Sequence, residues 1–229
     1  PSSTGRFEEL ARQHRYFKVV ETGWPKLDNF FRHGPVALPQ NKRPTILYCS
    51  TFTRWITSAP HLFDTIEQLI TRREWDWLLT LHPKSDPAIV ARYSALAERY
   101  PNVRFANNDD NMALLRQADA MVCDSSSIIV EFMMLDKPVV TFRNTAPGPH
   151  LIDIDRAEKL EQAIETALSR PPALMEAIDL YCQTMDPHRD GRSAERVVEA
   201  VEWFLTNWKG KLPRKPLNLF RKYKMITTI

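Results

Sequence analysis

The sequence has few cysteines and no long apolar stretch. No apolar run reaches the roughly 18 residues that a membrane-spanning helix requires, and no secretory signal pattern stands at the start. The three cysteines, at positions 49, 123 and 182, are far apart, which disfavours a metal site and favours buried thiols in a reducing compartment. With 43% hydrophobic and 26% charged residues, the chain is predicted to be a globular protein of the cytoplasm.

Several signatures of bound groups are also missing from the sequence. There is no Gly-x-Gly-x-x-Gly motif and no Walker loop, which argues against the common dinucleotide and ATP sites. Neither a His-Glu-x-x-His motif nor a paired-cysteine motif is present, and we therefore expect no metal and no cofactor. Because a Gly-x-Ser-x-Gly elbow is absent, the three consecutive serines at 125–127 are poor candidates for a nucleophile.

Acidic residues are absent after Glu202, so the C-terminal segment is strongly basic. Seven lysines and arginines follow that position, giving this segment a charge of +7 while the rest of the chain carries about −4. Within 209–224 the basic residues are interleaved with leucine, phenylalanine and tyrosine. The pattern allows three interpretations: an anionic membrane surface as partner, packing onto another domain, or a solvated tail. No nucleic-acid-binding fold accompanies it, so we expect no nucleic acid as partner.

Apolar runs alternate with amphipathic segments and predict a doubly wound α/β fold. Helices are expected at 6–16, 60–73, 87–99, 111–117, 128–135, 156–169, 173–184 and 193–208. Strands are expected at 45–49, 77–81, 103–106, 120–123, 139–142 and 151–154, with a further candidate at 18–22 and a polar link at 33–44. The predicted fold is therefore a Rossmann-like parallel sheet with helices on both faces, followed by a helical C-terminal third.

The segment 119–142 is the most informative part of the sequence. An apolar run at 120–123, too short for a helix, leads into the serines at 125–127, and serine is a favoured residue at a helix start. The next helix is apolar on nearly every side and stops before Pro138, where a second strand begins. So short a unit predicts parallel strands with the serines at their carboxyl ends, where open α/β sheets bind ligands. Hydroxyls and free amides at that point favour an anion, above all a phosphate.

Two other polar residues directly follow predicted strands. His82 comes after 77–81, and Thr51 comes after 45–49, so both are expected at the same edge as the serines. His82 can donate a hydrogen bond to a phosphate oxygen, although it could also only end the strand. Thr51 reads equally well as a ligand or as part of an ordinary turn. Arg54 and Lys84 are flexible cations nearby, and each could simply be a solvated surface charge.

Two charged positions on helices are further candidates. Glu131 lies four residues after Ser127, on the same helix face, in otherwise apolar surroundings. A carboxylate there needs a partner, either a sugar hydroxyl of a ligand or a structural bond within the protein. At the start of the last long helix, Ser193 or Asp190 is expected as the cap, and Arg196 could reach towards a phosphate.

Taken in chain order, these pieces resemble the CDP-glycerol glycerophosphotransferase family of envelope-polymer enzymes. The family pattern runs Gly-aromatic-Pro-basic-x-Asp, Pro-Thr-aromatic-Arg, His-Pro, Asp-Tyr-Ser-Ser with a buried acidic helix, and Asp-Gly-x-x-x-x-Arg. The matching residues are Gly23-Trp24-Pro25-Lys26-Leu27-Asp28, Thr51-Phe52, His82-Pro83, Asp124 with Ser126-Ser127, Glu131, and Asp190-Gly191 with Arg196. The resemblance covers about residues 20–200.

The resemblance implies the GT-B architecture, in which two Rossmann-like domains face a cleft and the C-terminal domain holds a nucleotide-diphosphate donor. It implies that His82, Ser126 and Ser127 bind the diphosphate, with help from Thr51. The candidates for contact with the nucleotide or the rest of the donor are Glu131, Ser125, Arg143 and Arg196. The acceptor would be a hydroxyl group on an envelope polymer or lipid, and the enzyme could lie at the inner face of the plasma membrane.

Three departures from the family pattern leave the transferred group open. Ser125 replaces a tyrosine, Thr53 stands where an arginine is expected, and Glu131 replaces an aspartate. A polyol phosphate, as in CDP-glycerol, and a sugar are both compatible. The segment 139–147 is also similar to the Arg-x-Thr-Glu-Arg-Pro loop of UDP-N-acetylglucosamine 2-epimerases, although their Ser-Gly-Gly turn and Glu-Glu pair are missing. A non-catalytic nucleotide-binding module is the third hypothesis.

The implied architecture also predicts a domain organisation. Residues 1–16 would be a helix or linker from a preceding domain, 17–208 the donor-binding domain, and 209–229 a basic tail. A complete enzyme of this architecture is about twice as long, so we expect the chain to be the donor-binding half of a longer protein. The base that activates the acceptor would then lie in the missing half, which leaves the catalytic residues unknown and predicts binding without turnover.

Overall fold

The computed structural model describes residues 3–33, 43–106 and 111–227. Most of the predicted link at 33–44 lies outside these residues. The chain divides into two compact units: a sheet unit, His33–Thr184, and a terminal unit, Pro1–Arg32 with Met185–Ile229. This division does not test whether residues 1–16 belong with a preceding domain, so the predicted domain bounds stay a prediction.

Six parallel strands form one sheet in the sheet unit, in the order β3-β2-β1-β4-β5-β6. The strands are β1 (Thr45–Ser50), β2 (Asp76–Leu81), β3 (Val103–Phe105), β4 (Ala120–Cys123), β5 (Val139–Phe142) and β6 (Ile152–Ile154). The order reverses between β1 and β4, which are the two central strands. The α/β prediction is confirmed, and all six strongly predicted strands are present to within one residue at each end.

The helices are α1 (Thr4–His14), α2 (Asp28–His33), α3 (Ala59–Arg72), α4 (Pro87–Arg99), α5 (Asn111–Gln117), α6 (Ile128–Met133), α7 (Leu160–Leu168), α8 (Pro172–Met185), α9 (Ser193–Asn207) and α10 (Leu219–Thr227). Helices α3, α4 and α7 share a core with alternate residues of the central strands, such as Ile46 and Tyr48. Every residue of β1 is buried, as expected for a central strand covered on both faces.

The structure departs from the prediction at 18–22 and in the basic tail. The candidate strand at 18–22 is wrong: this segment has no regular structure and pairs with none of the six strands. An extended segment is stable as a strand only when a neighbour satisfies its backbone groups, and local composition cannot supply that neighbour. The basic tail, for which no element was predicted, contains α10.

The terminal unit joins two glycine motifs of the sequence by direct contacts. Asp28, from the first motif, accepts hydrogen bonds from the amides of Ser193 (2.9 Å) and Ala194 (2.7 Å) at the start of α9. The expected cap by Ser193 or Asp190 is therefore wrong, because the capping carboxylate comes from a distant part of the chain. Burial alone would raise the pKa of Asp28, but the two amide bonds outweigh it and lower the pKa.

Both glycines of these motifs are needed for the close packing. Gly23 and Gly191 have φ angles of 86° and 73°, in the region that favours glycine. A Cβ on Gly191 would lie 2.8 Å from the backbone oxygen of Asp28, and one on Gly23 would lie 2.5 Å from the Ser193 hydroxyl. These contacts give the two motifs a structural role within the terminal unit.

Candidate functional site

The strands that flank the sheet reversal end in one aligned row. Ser50 pairs with Leu81, and the register of β4 sets Tyr48 beside Val122 and Cys123 beside Thr141. When this register is extended by one or two residues, it sets four residues side by side: Leu81 of β2, Ser50 of β1, Asp124 directly after β4, and Phe142 of β5. The carboxyl ends of four neighbouring strands therefore stand level at the point where the strand order reverses.

The residue that follows each member of this row is a predicted site residue: His82, Thr51, Ser125 and Arg143. Because adjacent strands lie about 4.8 Å apart, β2 and β4, with β1 between them, end roughly 10 Å from each other. The sheet thus brings His82 and the serine turn to one edge. The predicted location of the site, at the carboxyl ends of parallel strands at a topological switch point, matches the fold.

Asp124 is a fully buried carboxylate that holds the loop after β1 against the end of β4. It accepts hydrogen bonds from the Ser50 hydroxyl at 2.6 Å, from the Thr51 amide at 3.1 Å, and from the Ser58 amide at 3.0 Å. Its exposed fraction is 0%, so these donors compensate for its loss of hydration. The main chain at Thr51 is therefore tied directly to the residue that precedes the serines.

A second set of bonds fixes the far end of the same loop. The hydroxyls of Tyr48 and Ser58 lie 3.0 Å apart, and the Tyr93 hydroxyl donates to the carbonyl of Ala59 at 2.9 Å. Burial raises the pKa of both tyrosines, so their hydroxyls stay protonated and available for these bonds. The loop at 51–58 is consequently anchored at both ends.

The three serines of the turn differ in their contacts. Ser125 accepts a hydrogen bond from the Thr145 amide at 2.9 Å, which ties the turn to the loop after β5. Within the described parts of the chain, the hydroxyls of Ser126 and Ser127 make no hydrogen bond, and Ser127 does not cap α6. Ser126 is half-buried and Ser127 exposed. These two hydroxyls are therefore open to a ligand.

The orientation of His82 is set by its neighbours. Its Nδ1 accepts a hydrogen bond from the Lys84 amide at 3.1 Å, and the Phe52 ring packs against it with 4.3 Å between ring centroids. Because Nδ1 acts as the acceptor, the neutral ring carries its proton on Nε2. The side chain is exposed, so Nε2–H can donate to a group bound at the sheet edge.

The other three residues predicted to contact the donor differ in their exposure and in their partners. Arg143 is exposed, and its Nε donates to the carbonyl of Asp155 at 2.9 Å. Glu131, on α6, is only 5% exposed, so a ligand could reach little of it. Arg196 belongs to the terminal unit, where it forms an ion pair with Asp190. The individual roles of these residues in donor binding stay predictions.

Sequence reasoning identified the strand-end residues but missed the parts that organise them. In the sequence, Asp124 was recognised only as part of a motif. An acidic residue between a buried strand and a turn nevertheless indicates a buried hydrogen-bond acceptor. Phe52 was also assigned no role. Within residues 3–33, 43–106 and 111–227, no three acidic, histidine or cysteine side chains are grouped so that they could hold a metal. The expectation that the protein uses neither a metal nor a cofactor stays a prediction.

Known proteins resemble this chain in sequence and in fold. A family model described as CDP-Glycerol:Poly(glycerophosphate) glycerophosphotransferase matches residues 3–203. The teichoic acid glycerol-phosphate primase of Bacillus subtilis (strain 168) is 23% identical over 208 residues, which cover 81% of this chain and 51% of the primase. The chain thus spans about half the length of the curated primases that it matches.

Solved structures at lower identity share the fold. The wall teichoic acid polymerase TagF has a TM-score of 0.60 at 14% identity, over 86% of this chain and 56% of that one. A UDP-N-acetylglucosamine 2-epimerase has a TM-score of 0.59 at 16% identity, over 94% of this chain and 59% of that one. Among the described residues, none of the helices has the length and apolar character needed to cross a bilayer.

Proposed function

The chain belongs to the CDP-glycerol:poly(glycerophosphate) glycerophosphotransferase family, as its sequence predicted, and we propose that it is the donor-binding part of a transferase. The donor is a nucleotide-diphosphate compound whose transferred group is a polyol phosphate, as in CDP-glycerol, or a sugar. The acceptor is a hydroxyl group on an envelope polymer or on a lipid. The curated relatives, which are primases and polymerases of teichoic acids, support this assignment.

The observation that carries the proposal is the level row of polar residues at the sheet reversal. His82 offers Nε2–H, while Ser126 and Ser127 offer hydroxyls that make no bond with any described residue. Thr51 stands between them, directly after β1, with its main chain fixed by Asp124. Donors placed in advance around a diphosphate stabilise its charge without reorganisation, which suits the negative charge that builds up on a departing nucleotide.

The residues around this row are assigned to the rest of the donor. Arg143, level with Ser125 on the next strand, supplies a cation for a phosphate oxygen, and Ser125 has a hydroxyl proton to donate. Glu131 is assigned to a ribose hydroxyl, within the small part of it that a ligand can reach. Arg196 is the further cation that the family pattern suggests, and in the structure it forms an ion pair with Asp190.

The reaction requires the donor to be held while the acceptor oxygen attacks. For a polyol-phosphate donor, a bond forms between the acceptor oxygen and the phosphorus that bears the polyol, and the bond between the two phosphates breaks. A nucleoside monophosphate then leaves, held by His82, Ser126 and Ser127. The base that takes the proton of the acceptor is assigned to residues outside this chain.

Calorimetric titration of the purified chain tests the proposal. We expect CDP-glycerol and CDP to bind, and UDP-N-acetylglucosamine and inorganic phosphate to bind more weakly. A preference for UDP-N-acetylglucosamine would instead favour an epimerase-like enzyme. If no nucleotide binds at millimolar concentration, the donor-site assignment is wrong.

The basic tail is assigned to an anionic membrane surface. Helix α10 places Leu219, Phe220, Tyr223 and Ile226 along one side, and these side chains are 68–78% exposed. Basic residues, including Arg221 and Lys224, occupy the other sides of the helix. Such a helix lies in the headgroup region with its apolar face inserted. Attachment of this kind would keep the protein at the inner face of the membrane, next to a lipid-linked acceptor.

A further inference from the structure

A cleft of about 590 Å³ opens in the sheet unit next to His82. One wall is the loop that follows β1, from Thr51 to Pro60, and the other runs from Lys84 to Ile89 at the start of α4. The lining is mixed, with two cations, three hydroxyls, one carboxylate and four apolar residues: Arg54, Lys84, Thr51, Thr57, Ser85, Asp86, Phe52, Ala59, Pro60 and Ile89. Of the residues assigned to the diphosphate, only Thr51 belongs to this lining.

Among the residues that the structure describes, the two cations of the cleft have no acidic partner. Within the described residues, neither Arg54 nor Lys84 forms a side-chain hydrogen bond or ion pair, and the Lys84 ammonium lies 5.5 Å from the centroid of the Phe52 ring. Most other cations of the sheet unit are engaged, as in the pairs Arg72–Glu161, Arg92–Asp64, Arg99–Glu67 and Lys159–Asp155. Two unpaired cations on one concave surface create a positive potential that attracts an anion.

The polar atoms of the cleft are compatible with an anionic ligand on its cationic side. The hydroxyl of Ser85 makes no hydrogen bond with any described residue, whereas that of Thr57 lies 2.7 Å from the Ser50 hydroxyl. The negative charge of Asp86 repels an anion, but one of its oxygens already accepts a hydrogen bond from the amide of Ala88 at 2.9 Å. This bond caps α4. An anion in this cleft is therefore expected near Arg54, Lys84 and Ser85.

Phe52 connects the cleft with the proposed diphosphate site. Its ring contacts His82 and also lies near the Lys84 ammonium, so both sites share this side chain. The cleft wall at 51–58 is the loop anchored by Asp124, which means that Arg54 projects from a fixed backbone. A volume of about 590 Å³ exceeds the need of a single phosphate and can take a phosphate ester with its polyol.

We propose that this cleft is a second phosphate subsite, in which Arg54 and Lys84 bind a phosphate ester other than the diphosphate held by His82 and the serines. The assignment rests on the proposed function for its place in the reaction. The ester is a phosphodiester of the growing polymer, which is an anionic group joined to a small polyol.

The experiment compares the double variant Arg54→Gln/Lys84→Gln with wild type and with Arg156→Gln, an exposed arginine outside the cleft and without an ion-pair partner. A short poly(glycerol phosphate), CDP-glycerol and CDP are titrated separately by calorimetry at low salt, and circular dichroism checks that each variant is folded. We expect the double variant to lose tenfold or more in affinity for the poly(glycerol phosphate), with CDP-glycerol and CDP unchanged. The Arg156→Gln variant should match wild type for every probe.

The pattern of losses tests the assignment. Weaker binding of the poly(glycerol phosphate) alone assigns the cleft to the acceptor, whereas weaker binding of CDP-glycerol, which has no phosphate beyond the two of CDP, overturns the second subsite. An equal loss for CDP, or no loss for any probe, overturns the second subsite. Failure of wild type to bind any nucleotide would refute the proposed donor site, while titration with the polymer still tests the cleft by itself.

Discussion

At the scale of single residues, the site depends on side chains that bind a ligand and on side chains that hold those binders in place. His82 and Ser126 belong to the first group, and Asp124 and Phe52 belong to the second. The distinction matters because the two groups fail differently: loss of a binder weakens affinity, whereas loss of a buried organiser also lowers stability.

We expect His82→Ala and Ser126→Ala each to weaken binding of the donor at least tenfold. Each removes a hydrogen bond to a charged group, which is worth about 1.5–3 kcal/mol. Titration calorimetry with CDP-glycerol measures the effect, and His61→Ala, at an exposed histidine on α3, serves as the control. Unchanged affinity in both variants would remove the site assignment.

Asp124→Asn is expected to lower the free energy of unfolding by about 3 kcal/mol. It removes the charge from a buried acceptor, and the new side-chain amide group would face hydrogen-bond donors instead of acceptors. Affinity for the donor should fall as well, since the loop at Thr51 loses its anchor. Urea denaturation measures the stability. The control is Asp64→Asn, which removes only an exposed ion pair with Arg92 and should change little. Wild-type stability of Asp124→Asn would show that the carboxylate does not hold the loop.

At the scale of elements, the structure allows tests of the cap at the start of α9 and of the exposed helix α10. Helix α9 begins without a side-chain cap from its own residues, because Asp28 supplies the carboxylate. Helix α10 has no buried residue among those described, which distinguishes it from the helices that cover the sheet.

Asp28→Ala is expected to lower the free energy of unfolding by about 1–2 kcal/mol, the usual effect of losing a helix cap. The pKa of Asp28 is lowered in the folded protein, so its charged form stabilises the fold above the ordinary carboxyl pKa of about 4. This contribution is lost as the pH falls through the lowered pKa. The difference between wild type and variant in urea denaturation should therefore be larger at pH 7 than at pH 3. Glu199→Ala, on the exposed face of α9, is the control; equal differences at both pH values would contradict the assignment.

Helix α10 should bind the chain to vesicles that contain phosphatidylglycerol and not to vesicles of phosphatidylcholine alone. Each basic residue near an anionic surface contributes about 1 kcal/mol, and added salt should weaken the binding. Phe220→Ser, which removes a side chain that is 78% exposed on the apolar face, should reduce sedimentation with vesicles severalfold. Leu180→Ser, at an exposed leucine of α8, should not. Equal binding to both kinds of vesicle would reject the membrane assignment and favour packing onto another domain.

At the scale of the whole molecule, the sheet unit contains the edge to which the donor site is assigned. The chain spans about half the length of the primases that it matches. We expect the chain to bind CDP-glycerol without releasing CMP when an acceptor is added, because the base is assigned to residues outside this chain. Chromatography of the nucleotides, with authentic CMP as the standard, measures this. Release of CMP by the isolated chain would place the base among these residues.

Much of the fold follows from local sequence, and the reason is physical. The apolar run at 120–123 and the alternation of strands with amphipathic helices depend on near neighbours, so β4 and α4 were predicted almost to the residue. His82 and the serines were predicted at one sheet edge because residues that follow parallel strands must meet there. The segment at 18–22 was wrong for the opposite reason: a strand needs a partner that composition does not reveal.

The fold class, the family and the edge at which the polar residues gather could be inferred from the order of residues alone. Three features became visible only in the folded chain: Asp124 holds the loop after β1, Asp28 caps α9 across more than 160 residues, and Arg54 and Lys84 share one cleft. These contacts join residues far apart in the chain, and their partners are selected by packing and by the need to satisfy buried polar groups. Local propensity contains no information about these long-range partners. The order of the elements can therefore be inferred from the sequence, whereas the bonds between them cannot.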